Sequence, residues 1–124
     1  MPIFLKLIML NLFIIHWKEE ELHEYVSPLL LKDWNVGYEF KNELYAKLNI
    51  EKLKPDIILI YLIVTPSRGL LSANIIRQTD SIKHIPIIFV DGKPKAIKKI
   101  KNEFPDEVYA TSENLETILM GLDR

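Results

Sequence analysis

The chain has 124 residues, a length typical of one domain, and it contains no cysteine. Its hydrophobic fraction of 48% and charged fraction of 27% exclude a disordered or low-complexity chain. The net charge of -1 gives no overall field that would attract nucleic acid or an anionic membrane. Without cysteine, the chain has no disulfides, thiolate catalysis or cysteine-ligated metal. We therefore expect a single domain over residues 1–124 and a cytoplasmic location.

Residues 1–17 form the most apolar stretch of the sequence. Lys6 lies inside this stretch and bulky aromatic residues end it, which does not fit a signal peptide. The stretch is also shorter than the roughly 20 apolar residues that a membrane span needs. We interpret residues 7–15 as a buried strand and expect no membrane segment. If translation begins at Met9, residues 1–8 are an N-terminal extension, and both starts stay open.

Helical and strand patterns alternate after this first strand. Acidic residues begin a helical pattern over residues 18–29, in which Leu22 and Tyr25 belong to the predicted buried face. Pro28 falls inside this pattern and predicts a kink or a restart of the helix. Residues 36–40 alternate between apolar and polar types, which predicts a short, half-exposed edge strand.

A second helical pattern follows the edge strand. Its apolar positions are Leu44, Tyr45, Leu48 and Leu53, and their spacing predicts a helix over residues 42–54. Proline and aspartate then end the pattern.

A continuous run of apolar, mostly β-branched residues at 57–64 is the strongest signal in the sequence. It is too short for a buried helix and is typical of a central strand that is covered on both faces. We expect a loop over residues 65–69 to follow it. The remaining predicted elements are a helix over 70–79, a buried strand over 85–90, a lysine-rich helix over 93–104, a short strand over 108–110 and a final helix capped by Thr111 or Ser112.

Five alternations of strand and helix predict parallel strands joined by right-handed crossovers, with helices on both faces. The expected fold is a three-layer α/β/α sandwich around a five-stranded parallel sheet in the flavodoxin-like order 2-1-3-4-5. In such sheets, functional residues lie beyond the carboxyl ends of the strands. Any chemistry should therefore use the residues that directly follow each predicted strand.

Several segments resemble the receiver domain of response regulators in two-component signalling. The similar segments are residues 55–60, 67–70, 75–77, 85–90 and 108–111. The chain also resembles small stand-alone receiver-like proteins that carry His-Trp after the first strand. The resemblance implies a signalling domain with a flavodoxin-like fold.

The sequence departs from receivers at the positions that carry their chemistry. His16 and Trp17 stand where a receiver has two acidic residues, and Tyr61 replaces the aspartate that accepts phosphate. Asp91 replaces the hydroxyl residue after strand four, and Ser112 replaces the lysine after strand five. Mg²⁺ needs clustered oxygen ligands, which these residues do not supply. We expect a pseudo-receiver that is not phosphorylated and that has no catalytic residues, no bound metal and no cofactor.

Two other readings of the same positions stay open. His16 oriented by Asp91, together with Arg68, would make a small-ligand or anion site, or a minor enzyme. Ser67, Arg68 and Gly69 form the candidate anion-binding loop of that alternative. No glycine-rich phosphate motif is present, so an enzyme is not expected. In the simpler reading, the histidine is satisfied by a backbone group and the aromatic residues only fill space.

A protein partner or a second copy is the expected binding partner, and nucleic acid is not expected. Five lysines between residues 93 and 101 lie near Tyr109 in the sequence. Interfaces favour aromatic anchors inside charged rims, so Tyr109 is the predicted anchor, with Lys95 and Lys99 as its rim. The alternative is a solvated helix without a partner. A nucleic-acid surface would require stacking aromatics or a known motif, which the sequence lacks.

Overall fold

The computed structural model describes residues 10–18, 20, 21, 24 and 34–122. The strands are β1 (Asn11–Ile15), β2 (Asn35–Glu39), β3 (Ile57–Tyr61), β4 (Ile87–Val90) and β5 (Val108–Ala110). The helices within these residues are α1 (Glu43–Leu53), α2 (Pro66–Arg77), α3 (Pro94–Glu103) and α4 (Leu115–Leu122). Most of the helix predicted over residues 18–29 lies outside the described residues, as does the start of the first predicted strand.

The five strands form one parallel sheet in the order β2-β1-β3-β4-β5, which confirms the predicted topology. Strand β3 lies at its centre, where Ile60 pairs with Ile15 on one side and with Phe89 on the other. All five residues of β3 are buried. A strand that is covered on both faces has no solvent-facing side, which explains why its residues form a continuous apolar run.

The core forms two layers, one on each face of the sheet. Successive strand residues alternate between these layers, because side chains in a strand point to opposite faces. Phe13 faces the layer that contains Ile50 of α1 and Ile76 of α2. Its neighbour Ile14 faces the layer that contains Leu119 of α4. The helices α1, α2 and α3 therefore cover one face and α4 covers the other, as the predicted three-layer sandwich requires.

The predicted loop over residues 65–69 is wrong, because α2 already begins at Pro66. Proline at the first helical position needs no hydrogen-bond donor and has a backbone angle suited to the helix. Gly69 is buried in the first turn, where a Cβ atom would lie 2.8 Å from a methyl carbon of Leu62. The residue type at position 69 is thus explained by close packing of α2 on the sheet.

The strand predicted over residues 57–64 is shorter than expected and ends at Tyr61. The Leu62 N–H group still donates to the carbonyl oxygen of Val90 at 3.0 Å, and the chain then turns toward Pro66. Ile63 and Val64 consequently lie in the turn and are 41% and 38% exposed. The apolar residue types at 57–64 do not indicate where the hydrogen bonds between β3 and its neighbours end.

Helix α1 matches the predicted helix, with Asn42 as N-cap and Lys54 in the left-handed C-cap position. The Asn42 side chain accepts hydrogen bonds from the backbone N–H groups of Leu44 and Tyr45, at 2.7 and 3.2 Å. Its buried residues are Ala46 and Ile50, whereas the apolar positions that predicted the helix are exposed. None of the helices in the described part of the chain is long and apolar enough to cross a membrane.

Candidate functional site

The structure brings five predicted site residues to the same edge of the sheet. His16 and Trp17 directly follow β1, and Tyr61 is the last residue of β3. Asp91 directly follows β4, and Ser112 lies two residues after β5. Because all strands are parallel, their carboxyl ends meet at one edge, where ligands bind in sheets of this type.

Two aromatic rings fill the space at the ends of β1 and β3. His16 is 1% exposed and Tyr61 is 2% exposed. Their ring centroids lie 5.4 Å apart, with the planes tilted by 30°. This distance is within the range in which aromatic pairs stabilise each other beyond simple burial. Tyr61 is therefore a buried packing residue in the layer that also contains Leu59.

His16 is held as a neutral imidazole. Its Nδ1 atom accepts a hydrogen bond from the backbone N–H of Lys18 at 3.2 Å, so the ring proton is on Nε2. The Nε2 atom lies 3.8 Å from a carboxylate oxygen of Glu21. Burial lowers the pKa of His16 below its ordinary value of 6.5, and the carboxylates of Glu21 and Asp91 oppose this shift only in part.

The stability of the protein is expected to fall as the pH decreases below about 6.5, because the unfolded chain then binds a proton that buried His16 resists. Urea titrations between about pH 5 and pH 7.5 would measure this loss. In the His16→Gln variant, the loss over this range should be smaller. His84→Gln is the matched control, because His84 is exposed on the surface. Identical profiles for wild type and His16→Gln would contradict the assignment.

Trp17 is covered by an arginine that is itself held by a carboxylate. The Arg68 guanidinium carbon lies 4.0 Å from the Trp17 ring centroid. Arg68 donates to both carboxylate oxygens of Glu43, at 2.6 and 3.1 Å, and also to the carbonyl oxygen of Lys41 at 2.9 Å. The guanidinium holds the pKa of the Glu43 carboxyl below its ordinary value. Arg68 thus joins α2 to the start of α1 and to the aromatic residue after β1.

The candidate anion-binding loop is the first turn of α2. The backbone N–H groups of Arg68 and Gly69 donate to the carbonyl oxygen of Thr65, at 3.1 and 3.2 Å. Ser67 is exposed. Of the backbone N–H groups of Ser67, Arg68 and Gly69, those of Arg68 and Gly69 are therefore already engaged within the helix. The positive charge of Arg68 is balanced by the Glu43 carboxylate.

Two buried polar atoms lie in the segments around this edge. Within the described ranges, neither Trp17 Nε1 nor Thr65 Oγ1 has a hydrogen-bond partner. Trp17 is 9% exposed. Among the described residues, its indole packs in the core and contacts the Arg68 guanidinium.

Asp91 and Ser112 are bonded to each other across the ends of β4 and β5. The Asp91 carboxylate accepts hydrogen bonds from the Ser112 backbone N–H, at 2.8 Å, and from the Ser112 hydroxyl. The Asp91 N–H donates to the carbonyl oxygen of Ala110 at 2.9 Å. Asp91 itself has a left-handed backbone, with φ of 58°, and Gly92 follows with φ of 108°. These bonds fix the turn between β4 and α3 relative to β5.

The structure does not bring the three residues of the predicted partner face to one surface. The Tyr109 hydroxyl donates to the carbonyl oxygen of Phe104 at 2.9 Å, and its ring stacks on Phe89 with centroids 5.1 Å apart. Lys101 covers this ring, at 4.9 Å from its centroid. Lys95 and Lys99 instead line a groove beside residues 62–66. Since Lys101 is only two residues beyond Lys99, the two lysines project to opposite sides of α3.

Burial, together with the charge of Glu107, raises the pKa of Tyr109 to about 12. The tyrosine is therefore protonated at neutral pH and its hydroxyl is a stable hydrogen-bond donor. This makes Tyr109 part of the framework that holds β5 against the end of α3.

Among the described residues, no group of three or more histidine, aspartate or glutamate side chains could hold a metal ion. Both oxygens of the Asp91 carboxylate accept hydrogen bonds from Ser112. Glu43 is the important residue that the sequence did not reveal. Its partner Arg68 is 25 residues away, so no local spacing could have indicated the pair.

The fold is shared with solved structures of receiver domains. The chain resembles the chemotaxis response regulator CheY4 of Vibrio cholerae with a TM-score of 0.69 and 16% identity, over 90% of this chain and 97% of that one. It also resembles the N-terminal domain of a response regulator receiver protein from Methanoculleus marisnigri JR1, with a TM-score of 0.67 and 14% identity, over 82% of this chain and 81% of that one. No family model and no curated protein matches the sequence.

Proposed function

We propose that this chain is a receiver-like signalling domain that does not accept phosphate and that acts by binding a protein. The observation that carries the proposal is the buried ring pair at the edge of the sheet. His16 and Tyr61, with exposed fractions of 1% and 2%, occupy positions that in receivers belong to an acidic residue and to the phosphate acceptor.

The chemistry of the site supports the absence of phosphorylation. Transfer of a phosphoryl group to a receiver requires a carboxylate acceptor and a Mg²⁺ ion that neutralises the phosphoryl oxygens. Here a phenol, an imidazole and an indole replace three carboxylates at Tyr61, His16 and Trp17. An imidazole, an indole and a phenol do not supply the carboxylate oxygens that a hard cation prefers.

The Asp91–Ser112 bonds support a domain that binds without a phosphate switch. Both oxygens of the Asp91 carboxylate are used to connect the turn after β4 with the end of β5. This connection ties the turn that leads into α3 to the end of β5. We infer that the surface around α3 is permanently available to a partner, whether another protein or a second copy.

The second candidate is a small-ligand or anion site, or a minor enzyme, built from His16, Asp91 and Arg68. The charge of Asp91 does act on His16. Against this candidate, the Arg68 guanidinium is engaged by Glu43 and by the Trp17 ring. The first function is therefore better supported, and we propose no catalytic residue, cofactor or metal.

Titration with MgCl₂ is expected to leave the fluorescence of Trp17 unchanged, because the described residues around it offer no cluster of oxygen ligands. Trp17 lies at the site itself, so it reports on any ion that binds there. The Trp34→Phe variant removes the second indole and assigns the signal, and NaCl at equal ionic strength is the control. A saturable change that occurs with MgCl₂ and not with NaCl would contradict the proposed function.

A further inference from the structure

A groove of about 350 Å³ lies between the turn after β3 and the first half of α3. Its lining includes the apolar residues Ile63, Val64 and Pro66, which we call its floor, and the charged residues Lys93, Lys95 and Lys99, which we call its rim. It is separate from the buried ring pair, which lies inside the edge of the sheet. An apolar surface surrounded by polar groups is the typical composition of a site for another protein.

The floor of the groove carries apolar side chains that the fold leaves partly exposed. Ile63 and Val64 are 41% and 38% exposed. They continue the apolar run of β3 beyond the hydrogen bond from Leu62 to Val90. Pro66 favours an extended backbone at the residue before it. The turn therefore presents part of two β-branched side chains to the outside.

The rim carries positive charge that the described residues do not balance. In the described part of the chain, none of the three rim lysines forms an ion pair with a carboxylate. Lys95 and Lys99 are four residues apart on α3, a spacing at which like charges destabilise a helix. The first turn of α3 contains no acidic residue, although the helix dipole favours acids there and disfavours Lys93 and Lys95. An anionic partner would relieve both repulsions.

We propose that this groove binds a peptide segment of a partner protein in which one or two apolar side chains stand next to aspartate or glutamate. The apolar side chains contact the floor formed by Ile63, Val64 and Pro66, and the carboxylates face Lys95 and Lys99. This inference rests on the proposed function, because it names the partner of the same domain. It places that partner on the side of α3 opposite Tyr109, whose hydroxyl and ring are already engaged.

Selection of random twelve-residue peptides displayed on phage, with the full chain immobilised, tests the proposal directly. Peptides that also bind the Lys95→Glu/Lys99→Glu double variant are removed before each round. The expected outcome is enrichment of sequences in which an apolar residue is flanked by at least two acidic residues. A synthetic copy of the most enriched peptide, labelled with fluorescein, is then titrated by fluorescence anisotropy.

Matched single variants show where the peptide binds. Lys95→Glu and Lys99→Glu should each weaken binding about tenfold or more, because each places a like charge opposite a carboxylate. Ile63→Ser should weaken it by a similar factor through loss of apolar contact. Lys98→Glu is the control, because Lys98 is exposed on the same helix but does not line the groove, and it should change the affinity less than about threefold. All four residues are exposed, and thermal melting of each variant verifies folding.

Enriched peptides without acidic residues, no enrichment, or affinity that Lys99→Glu leaves unchanged would overturn the proposal. Sedimentation of the chain alone identifies a different occupant. Self-association that Lys99→Glu abolishes would show that a second copy fills the groove, and it would overturn the assignment to another protein. None of these outcomes bears on whether the domain accepts phosphate, so the groove and the absence of phosphorylation can fail separately.

Discussion

Replacement of Ile60 by alanine is expected to lower the free energy of unfolding by about 2–5 kcal/mol, the usual range for truncation of a large core residue. Ile60 is completely buried at the centre of β3, between Ile15 and Phe89 of the neighbouring strands. Its Cγ2 atom also lies close to Gly69 of α2. Because neighbours enclose the residue on all these sides, the structure cannot close around the space that the truncation leaves. Urea titration monitored by circular dichroism measures the loss.

Leu44→Ala is the matched control for this truncation. Leu44 is 56% exposed on α1, so its loss removes little buried surface, and alanine favours the helix slightly. We expect a change within about 0.5 kcal/mol. If Ile60→Ala also cost less than about 0.5 kcal/mol, Ile60 would not lie in a central strand.

Replacement of Arg68 by alanine is expected to cost about 1–3 kcal/mol of stability, because it leaves a largely buried carboxylate without its partner. The Glu43 side chain is only 17% exposed and depends on two hydrogen bonds from Arg68. The same substitution uncovers one face of the Trp17 ring. The variant should therefore unfold at lower urea concentration and show altered tryptophan fluorescence.

A double-mutant cycle of Arg68→Ala and Glu43→Ala separates the pair from other effects, and the expected coupling is about 1 kcal/mol or more. Lys83→Ala is the control, because its pair with Asp80 is exposed and should contribute less than about 0.5 kcal/mol. Zero coupling between Arg68 and Glu43 would show that the pair does not join α1 and α2 as described.

The topology could be predicted from the sequence because the strongest signals came from the most buried elements. The residues at 57–61 are apolar on both faces of the strand. This pattern is typical of a strand that is covered on both sides. Alternation with helical patterns then leaves few arrangements of parallel strands. The edge strand β2, which exposes Tyr38, was also predicted correctly from its alternating pattern.

Details that depend on contacts between distant residues could not be predicted. Periodicity identified α1, but the apolar positions used for it are exposed, because Ala46 and Ile50 make the close contact with the sheet. Tyr109 is near the lysines in the sequence, yet its bonds turn it away from Lys95 and Lys99. Sequence spacing gives the face of a helix on which a residue lies, but not what covers that face.

Incubation with acetyl phosphate and Mg²⁺, followed by intact-mass spectrometry, tests most directly whether this receiver-like domain accepts phosphate. A phosphorylatable receiver domain treated in parallel is the positive control. The proposed function predicts an unchanged mass, because we infer that Tyr61 stands in place of the acceptor and His16 and Trp17 in place of the metal ligands. Addition of one phosphoryl group per chain that hydroxylamine removes would show an aspartyl phosphate and would contradict the account.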